Sequence, residues 1–345
     1  MATPGGAAQV LATAAALAAE PRLPSRAQLR DLVEAALAAL AADPPELRPR
    51  DSGGESGGLL LLPELPTVLV PDIHARPALL KQVLAWEGPS ALPFGRPLAE
   101  LLEEGRATLV CLGDVFHSEW TGAARRWESA LGEYMRGWTG HRTMDQEMAL
   151  TLSAVRIVLE AKIAFRSSFH YLKGNHDNVT NGSDHGDRAF YKFAAEGEMV
   201  SSWFELAYGS ELRQRFRELE LEYPVLAVGD RFVASHGEPA FAIAREDAVE
   251  YRHRPDVVYA LIWTANDGAQ SGSVEQGLVR LLGGGAASSL EGALWFGGHR
   301  PVDGRYALRA GGRYVQFHDP SKHQVALLLP GRAPDPDRDI HRLPL

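Results

Sequence analysis

Five short segments of this sequence each close an apolar run with a side chain able to bind a metal ion. They are Val70-Pro71-Asp72-Ile73-His74, Leu112-Gly113-Asp114-Val115-Phe116-His117, Lys173-Gly174-Asn175-His176-Asp177, Ser235-His236-Gly237-Glu238 and Gly297-Gly298-His299-Arg300. The runs before them, 67–70, 107–112, 169–172, 232–235 and 294–296, are short and have the composition of strands. Short strands interleaved with helical stretches predict an α/β fold. In α/β sheets the carboxyl ends of the strands open onto a shared crevice, where residues distant in sequence converge. Carboxylate, imidazole and amide oxygen together suit a first-row ion such as manganese, iron or zinc.

Residues 1–45 read as two helices. The second starts at Ser25 as a cap and carries Leu29, Leu32, Val33, Ala36, Leu37 and Leu40 at helical spacing. Pro44, Pro45 and the Gly/Ser-rich stretch 51–58 predict a flexible linker. The expected organisation is therefore a helical extension with its linker at 1–58 and a catalytic domain at 59–345. Segments 305–308 and 313–317 flank Gly311-Gly312 as a hairpin, and 323–329 supplies a further strand. Two insertions with helical patterning, 119–168 and 178–223, interrupt the strands and are expected to form a cap over the crevice. Trp127, Tyr134, Trp138 and Arg142 of the first are read either as substrate-selecting groups or as the cap's own core. Gly283-Gly284-Gly285 has no Lys-Ser/Thr after it, so it reads as a plain loop.

The net charge of −9 over 345 residues, with no basic stripe, opposes a nucleic-acid partner. The single cysteine, Cys111, excludes an internal disulfide. The alanine-rich stretch 7–19 has some likeness to a signal-peptide core, but no lysine or arginine precedes it and Arg22 is the first basic residue. No apolar run approaches the ~18 residues needed to span a bilayer. These features point to a cytoplasmic protein without a membrane partner.

The order of the motifs (Asp-x-His, Gly-Asp, Gly-Asn-His-Asp, then two isolated histidines) resembles that of the calcineurin-like metallophosphoesterases over about residues 59–329. The ending Gly298-His299-Arg300-Pro301 with the Gly311-Gly312 hairpin is similar to that of bacterial phosphoprotein-phosphatase-like enzymes. The resemblance implies a two-sheet β-sandwich flanked by helices. It implies two divalent or mixed-valence ions, Mn2+, Fe or Zn2+, and a bridging hydroxide that hydrolyses phosphomonoesters or small nucleotide-type phosphoanhydrides. Asp72 and His74 would bind the first metal, Asp114 would bridge, and Asn175, His236 and His299 would complete the second. The chain lacks the Gly-x-His-x-His ending of other branches, so the first metal is expected to have only three protein ligands.

The resemblance further implies that His176 protonates the leaving-group oxygen. His117 is expected to support His176 or to contact phosphate, and Asp177 is the third catalytic candidate. Arg76 and Arg300 flank ligand motifs, where a guanidinium can clamp phosphate oxygens; the alternative for each is an ordinary solvated arginine. Glu238 reads either as a water or substrate contact or as a local structural group. His141, His185 and His318 are weaker candidates, read first as ordinary polar groups, although His318 follows a strand and can approach the crevice. The partner is expected to be a small phosphorylated substrate or a phosphoprotein. A serine/threonine protein phosphatase is the alternative reading. A nuclease, suggested by Gly-Asp-x-Phe-His, and a non-catalytic scaffold follow.

Overall fold

Alternation along each strand sorts its side chains between two apolar layers, and this builds the molecule. The computed structural model describes residues 6–92, 94–283 and 290–344, so Gly284 and Gly285 of the glycine run lie outside it. Among the described residues, one sheet contains β2 (Thr67–Val70), β3 (Thr108–Cys111), β4 (Phe169–Tyr171), β10 (Gln324–Leu328) and β11 (Ile340–Arg342), in the order β11-β10-β2-β3-β4. The other contains β1 (Leu59–Leu61), β5 (Leu226–Val228), β6 (Phe232–Ser235), β7 (Leu294–Pro301), β8 (Ala307–Arg309) and β9 (Tyr314–His318), in the order β1-β5-β6-β7-β9-β8.

Leu69, Val110, Ala234, Phe296, Val315 and Phe317 point between the sheets and form one buried core. Their strand neighbours Val68, Val70, Leu109 and Cys111 point outward into a layer of helices. Val233, Trp295 and Tyr314 do the same on the opposite side. The result is the two-sheet sandwich flanked by helices that the sequence led us to expect. The β8–β9 hairpin is present as an antiparallel pair around Gly311-Gly312.

Strand direction sets the position of the site. β2, β3 and β4 are mutually parallel, and so are β6, β7 and β9. The carboxyl ends of both sets therefore emerge along one rim of the sandwich.

Three expectations about organisation need correction. The helices Ala7–Ala19 and Arg26–Ala41 are not a separate extension: Val10, Ala14, Leu17, Leu29 and Val33 belong to the same buried layer as Val68 and Leu109. Ser25 caps the second helix, in a reciprocal capping box with Gln28. The stretch 51–58 is an ordered turn and not a loose linker. Asp51 accepts from the amides of Gly53 and Glu55, and a Cβ on Gly57 would lie 2.6 Å from the Pro49 carbonyl oxygen. Glycine is placed here for close backbone approach, a role that composition cannot distinguish from flexibility. The helix Arg142–Phe165 packs on β4 and on both N-terminal helices, so about half of 119–168 is a layer of the sandwich and not a cap.

Candidate metal centre

Each strand on the common rim delivers a polar residue at or just past its last paired position. β2 leads into Asp72 and His74, β3 into Asp114 and β4 into Asn175. His236 follows β6, His299 lies within β7, and His318 ends β9. All seven are buried or nearly so. Four residues of this rim that are not glycine hold a left-handed backbone: His74 (φ 45°), Asp114 (φ 53°), His117 (φ 68°) and His299 (φ 64°). Such conformations cost of order 1–3 kcal/mol each and cluster at functional sites. Two glycines give the carboxylates room. A Cβ on Gly174 would collide with the Asp114 carboxylate, and one on Gly298 with that of Asp72.

The donor atoms form two groups that meet at one oxygen. In the first, His74 Nε2 lies 3.5 Å from Asp72 Oδ2, 3.7 Å from Asp114 Oδ2 and 3.6 Å from Glu119 Oε1. In the second, Asn175 Oδ1 lies 2.9 Å from both His236 Nε2 and His299 Nδ1, and His236 Nε2 is 3.4 Å from Asp114 Oδ2. Asp114 Oδ2 therefore faces both groups. Its other oxygen, Oδ1, accepts from the His176 amide at 2.8 Å. His74 and His236 each place Nδ1 against a main-chain carbonyl, Phe116 at 3.2 Å and Leu112 at 2.8 Å, which directs Nε2 into the site. Ligating histidines are oriented in this way by a bond from the second ring nitrogen.

The charges here suit a cation. Burial, together with Asp72 and Asp177 nearby, pushes Asp114 well above the usual carboxylate range. Burial acts on Asp72 in the same direction, but the imidazoles of His318, His236 and His74 outweigh it and hold Asp72 below that range. Against burial, the carboxylates of Glu119, Asp72 and Asp114 raise His74. Asp72 Oδ2, His299 Nε2 and both ring nitrogens of His318 are buried with no hydrogen-bond partner among the described residues. Buried polar atoms without partners are costly, and two of these, Asp72 Oδ2 and His318 Nε2, lie 3.9 Å apart. The cluster has the donor set that a metal ion takes.

His176 stands at the edge of the site. Its ring stacks on Phe190 at 4.7 Å and lies 4.7 Å from the His117 ring. Burial, then the rings of His117 and His74, push it well below the ordinary histidine range, so the free site presents it neutral. His117 differs from a substrate-facing residue. It is fully buried, with Nε2 3.3 Å from Glu196 Oε1 and Nδ1 3.5 Å from Glu119 Oε1, and it stacks between Trp127 and Phe193. Its ring lies 4.7 Å from that of His176, and its Nδ1 closes no hydrogen bond among the described residues.

Asp177 also differs from expectation. Its carboxylate accepts from the amides of Asp114, Val115 and Gly174 and from the Tyr171 hydroxyl. It fastens the Asp114 loop to the Asn175 loop and does not face the crevice. Arg76 is removed from the phosphate candidates for a similar reason. It is buried, and its guanidinium donates to the carbonyls of Asp72, Ile73, Asp319, Pro320 and Lys322. Arg300 is exposed beside His299 and stays available to a ligand. Glu238 pairs with Arg309 at 3.2 Å. His141 pairs with Asp145 and His185 lies beside Asp184, so neither joins the cluster. Lys173 supports the loop through the Asp177 carbonyl and an ion pair with Asp187 at 3.2 Å.

Sequence reasoning missed Glu119, Glu196 and Lys192, and underrated His318. Glu119 stands among three site imidazoles, and Lys192 Nζ reaches its Oε2 at 2.6 Å. His318 obeys the strand-end rule that located the other ligands. Glu119 and Lys192 come from connecting segments that carry no periodic signal, and Glu196 opens the helix Glu196–Tyr208, where nothing in the pattern aims it at the site.

No protein-family model matches the chain, and no curated protein matches its sequence. Solved structures do. A protein serine/threonine phosphatase from Saccharomyces cerevisiae with similarity to human phosphatase PP5 superposes with a TM-score of 0.52 at 11% identity, covering 93% of this chain and 90% of that one. A cold-active protein tyrosine phosphatase gives a TM-score of 0.44 at 11% identity, over 83% of this chain and 80% of its own. A cold-active protein-tyrosine phosphatase of a psychrophilic Shewanella gives 0.41 at 12%, over 83% and 82%. The chain shares the fold of the yeast phosphatase. Among the described residues no helix is long and apolar enough to cross a membrane.

Proposed function

We propose that this chain is a metal-dependent phosphoesterase that holds two ions side by side and hydrolyses phosphomonoesters or small nucleotide-type phosphoanhydrides. The observation that carries the reading is Asp114 Oδ2, a carboxylate oxygen that faces both His74 Nε2 at 3.7 Å and His236 Nε2 at 3.4 Å. Asp72 and His74 would hold one ion, Asn175, His236 and His299 the other, and Asp114 both. Mn2+, Fe and Zn2+ each suit this mixture of oxygen and imidazole donors. Bound ions would supply Lewis acidity toward phosphoryl oxygens and toward water.

The chain's own groups do the rest. Arg300, exposed beside His299, and Lys192, on the opposite wall, would receive the phosphate oxygens. His176 would hand a proton to the departing oxygen. Its ring is neutral in the free site, and an arriving phosphate dianion favours the protonated form that this step needs. A protein serine/threonine phosphatase is the second reading, and two observations favour it. The fold is that of such an enzyme. In addition, Tyr191 is 79% exposed between Phe190 against His176 and Lys192 against Glu119, where a polypeptide substrate would pass.

Paired variants test the proposal. Asp114→Asn should abolish hydrolysis and lower metal content measured by plasma mass spectrometry. His176→Ala should retain the metal and lose about 10²–10⁴-fold in kcat on poor leaving groups, and much less on nitrophenolates. Wild-type turnover by Asp114→Asn with two ions retained would sink the reading.

A further inference from the structure

His318 is the most anomalous side chain near the rim. It is fully buried at the end of β9, and neither ring nitrogen has a hydrogen-bond partner among the described residues. Two carboxylates stand close but out of bonding range. His318 Nε2 is 3.9 Å from Asp72 Oδ2 and 3.8 Å from Glu119 Oε2. Its ring lies 5.1 Å from that of His74, tilted by 57°. A histidine kept in the core for structure would be expected to close a hydrogen bond with one of these neighbours.

The spacing has a simple explanation. Two donors, each about 2.1 Å from one ion at octahedral or tetrahedral angles, lie roughly 3.0–3.4 Å apart. The distances from His74 Nε2 to Asp72, Asp114 and Glu119, 3.5–3.7 Å, and from His318 Nε2 to Asp72 and Glu119, 3.8–3.9 Å, are too long for direct bonds. For octahedral neighbours they need a contraction of roughly 0.5–0.9 Å, which small side-chain movements supply, to suit a common centre. Asp72, His74 and His318 place their donor atoms within 4.8 Å of one another. Glu119 stands beside this trio, with Oε1 toward His74 and Oε2 toward His318, and it also lies close to His117 and His176.

We infer that Glu119 and His318 are ligands of the ion beside His74, so that this ion is held by Asp72, His74, Asp114, Glu119 and His318. The inference rests on the two-ion reading above and extends it. The first ion has five protein ligands where the motif pattern led us to expect three. The missing Gly-x-His-x-His histidine is replaced from a different strand, and a carboxylate is added from the segment after β3. Such a shell is nearly closed and rich in hard oxygen donors. It favours a firmly held Mn2+ or Fe ion over the four-coordinate geometry of zinc. Lys192, 2.6 Å from Glu119 Oε2, then stands where a ligand carboxylate and an incoming phosphate would share it.

The test uses the full chain stripped by chelator and titrated with Mn2+. Stoichiometry is read by calorimetry and the state of the ions by electron paramagnetic resonance. Wild type should take two ions per chain with an exchange-coupled spectrum. Glu119→Gln and His318→Leu should each keep one tight ion, weaken the other by at least about 100-fold, and show the uncoupled six-line signal at one equivalent. His318→Leu should melt, when stripped, at or above the wild-type temperature, because it replaces an unsatisfied buried imidazole by an apolar group. Two tight coupled ions in both variants would overturn the inference, and so would a stripped His318→Leu protein that melts lower while binding Mn2+ normally. A wild-type chain that binds no manganese would instead overturn the two-ion reading beneath it.

Discussion

Glu220 shows how far burial alone moves a group that has no part in the proposed chemistry. It is fully buried on the helix Ser210–Leu221 and accepts the Val179 amide with both oxygens, 3.0 and 2.9 Å away, which anchors the loop after His176. Burial pushes its carboxyl up to about 8, and the opposing charges of Lys173 and Arg217 only partly offset this. An acid that ionises later in the folded state loses stability as pH rises through the window between its two pKa values. For Glu220 that window runs from about 4.5 to about 8. Glu220→Gln should therefore match wild type in urea unfolding near pH 4.5 and exceed it by at least about 1 kcal/mol at pH 8.5. A stability difference that does not change with pH would refute this. Residues of this kind were not legible in the sequence, because nothing in the local pattern marks a glutamate as buried. The strand-end candidates were legible, because each follows an apolar run whose direction is fixed by parallel pairing. Arg76 and Asp177 sit in the same motifs, yet they turn back onto main-chain groups. Position in a motif specifies the loop and leaves open which way each side chain points.

At the scale of elements, a buried ion pair ties the N-terminal helices to the sandwich. Lys162 Nζ, on the helix Arg142–Phe165, lies 2.6 and 2.9 Å from the two oxygens of Asp43, just past the helix Arg26–Ala41. Both side chains are almost fully buried, at 3% and 2% exposure. Removing one partner of such a pair strands the other charge and costs about 3–5 kcal/mol, whereas replacing both with apolar groups is often close to neutral. Asp43→Ala should show that loss in guanidinium unfolding, and Asp43→Ala combined with Lys162→Met should recover most of it. Equal destabilisation by the single and double variants would argue against the account. The helix Arg26–Ala41 was readable from its stripe and its Ser25 cap. Its integration was not, because a leucine and alanine stripe looks the same whether it meets a partner protein or the chain's own sheet. Likewise Gly57 and Gly58 read as slack in composition, and they mark places where backbones meet closely.

For the whole molecule, an ion held at the rim would stabilise the folded state alone, because the donors converge only there. Removal of metal by chelator should lower the melting temperature by several degrees, and added Mn2+ should restore it in a concentration-dependent way. Each site contributes about 2.7 kcal/mol once free ion exceeds its dissociation constant 100-fold. A melting temperature indifferent to both treatments would contradict a metal centre of any stoichiometry. The two-sheet architecture was legible only through the resemblance carried by the motif order, because apolar runs such as β2 and β3 announce buried strands without showing which sheet each joins. The short strands β1, β5 and β11 were not, because three residues are too few to display a period. The rim has one further consequence, which concerns time. Its donors are drawn from both sheets, and over two hundred residues separate Asp72 from His299. At roughly 5–20 residues per second, a growing chain presents its earliest donors on the order of ten seconds or more before the last have been made. An ion bound at the proposed centre would therefore be chosen by the finished molecule, from whatever metals surround it at that moment, and not by the nascent one.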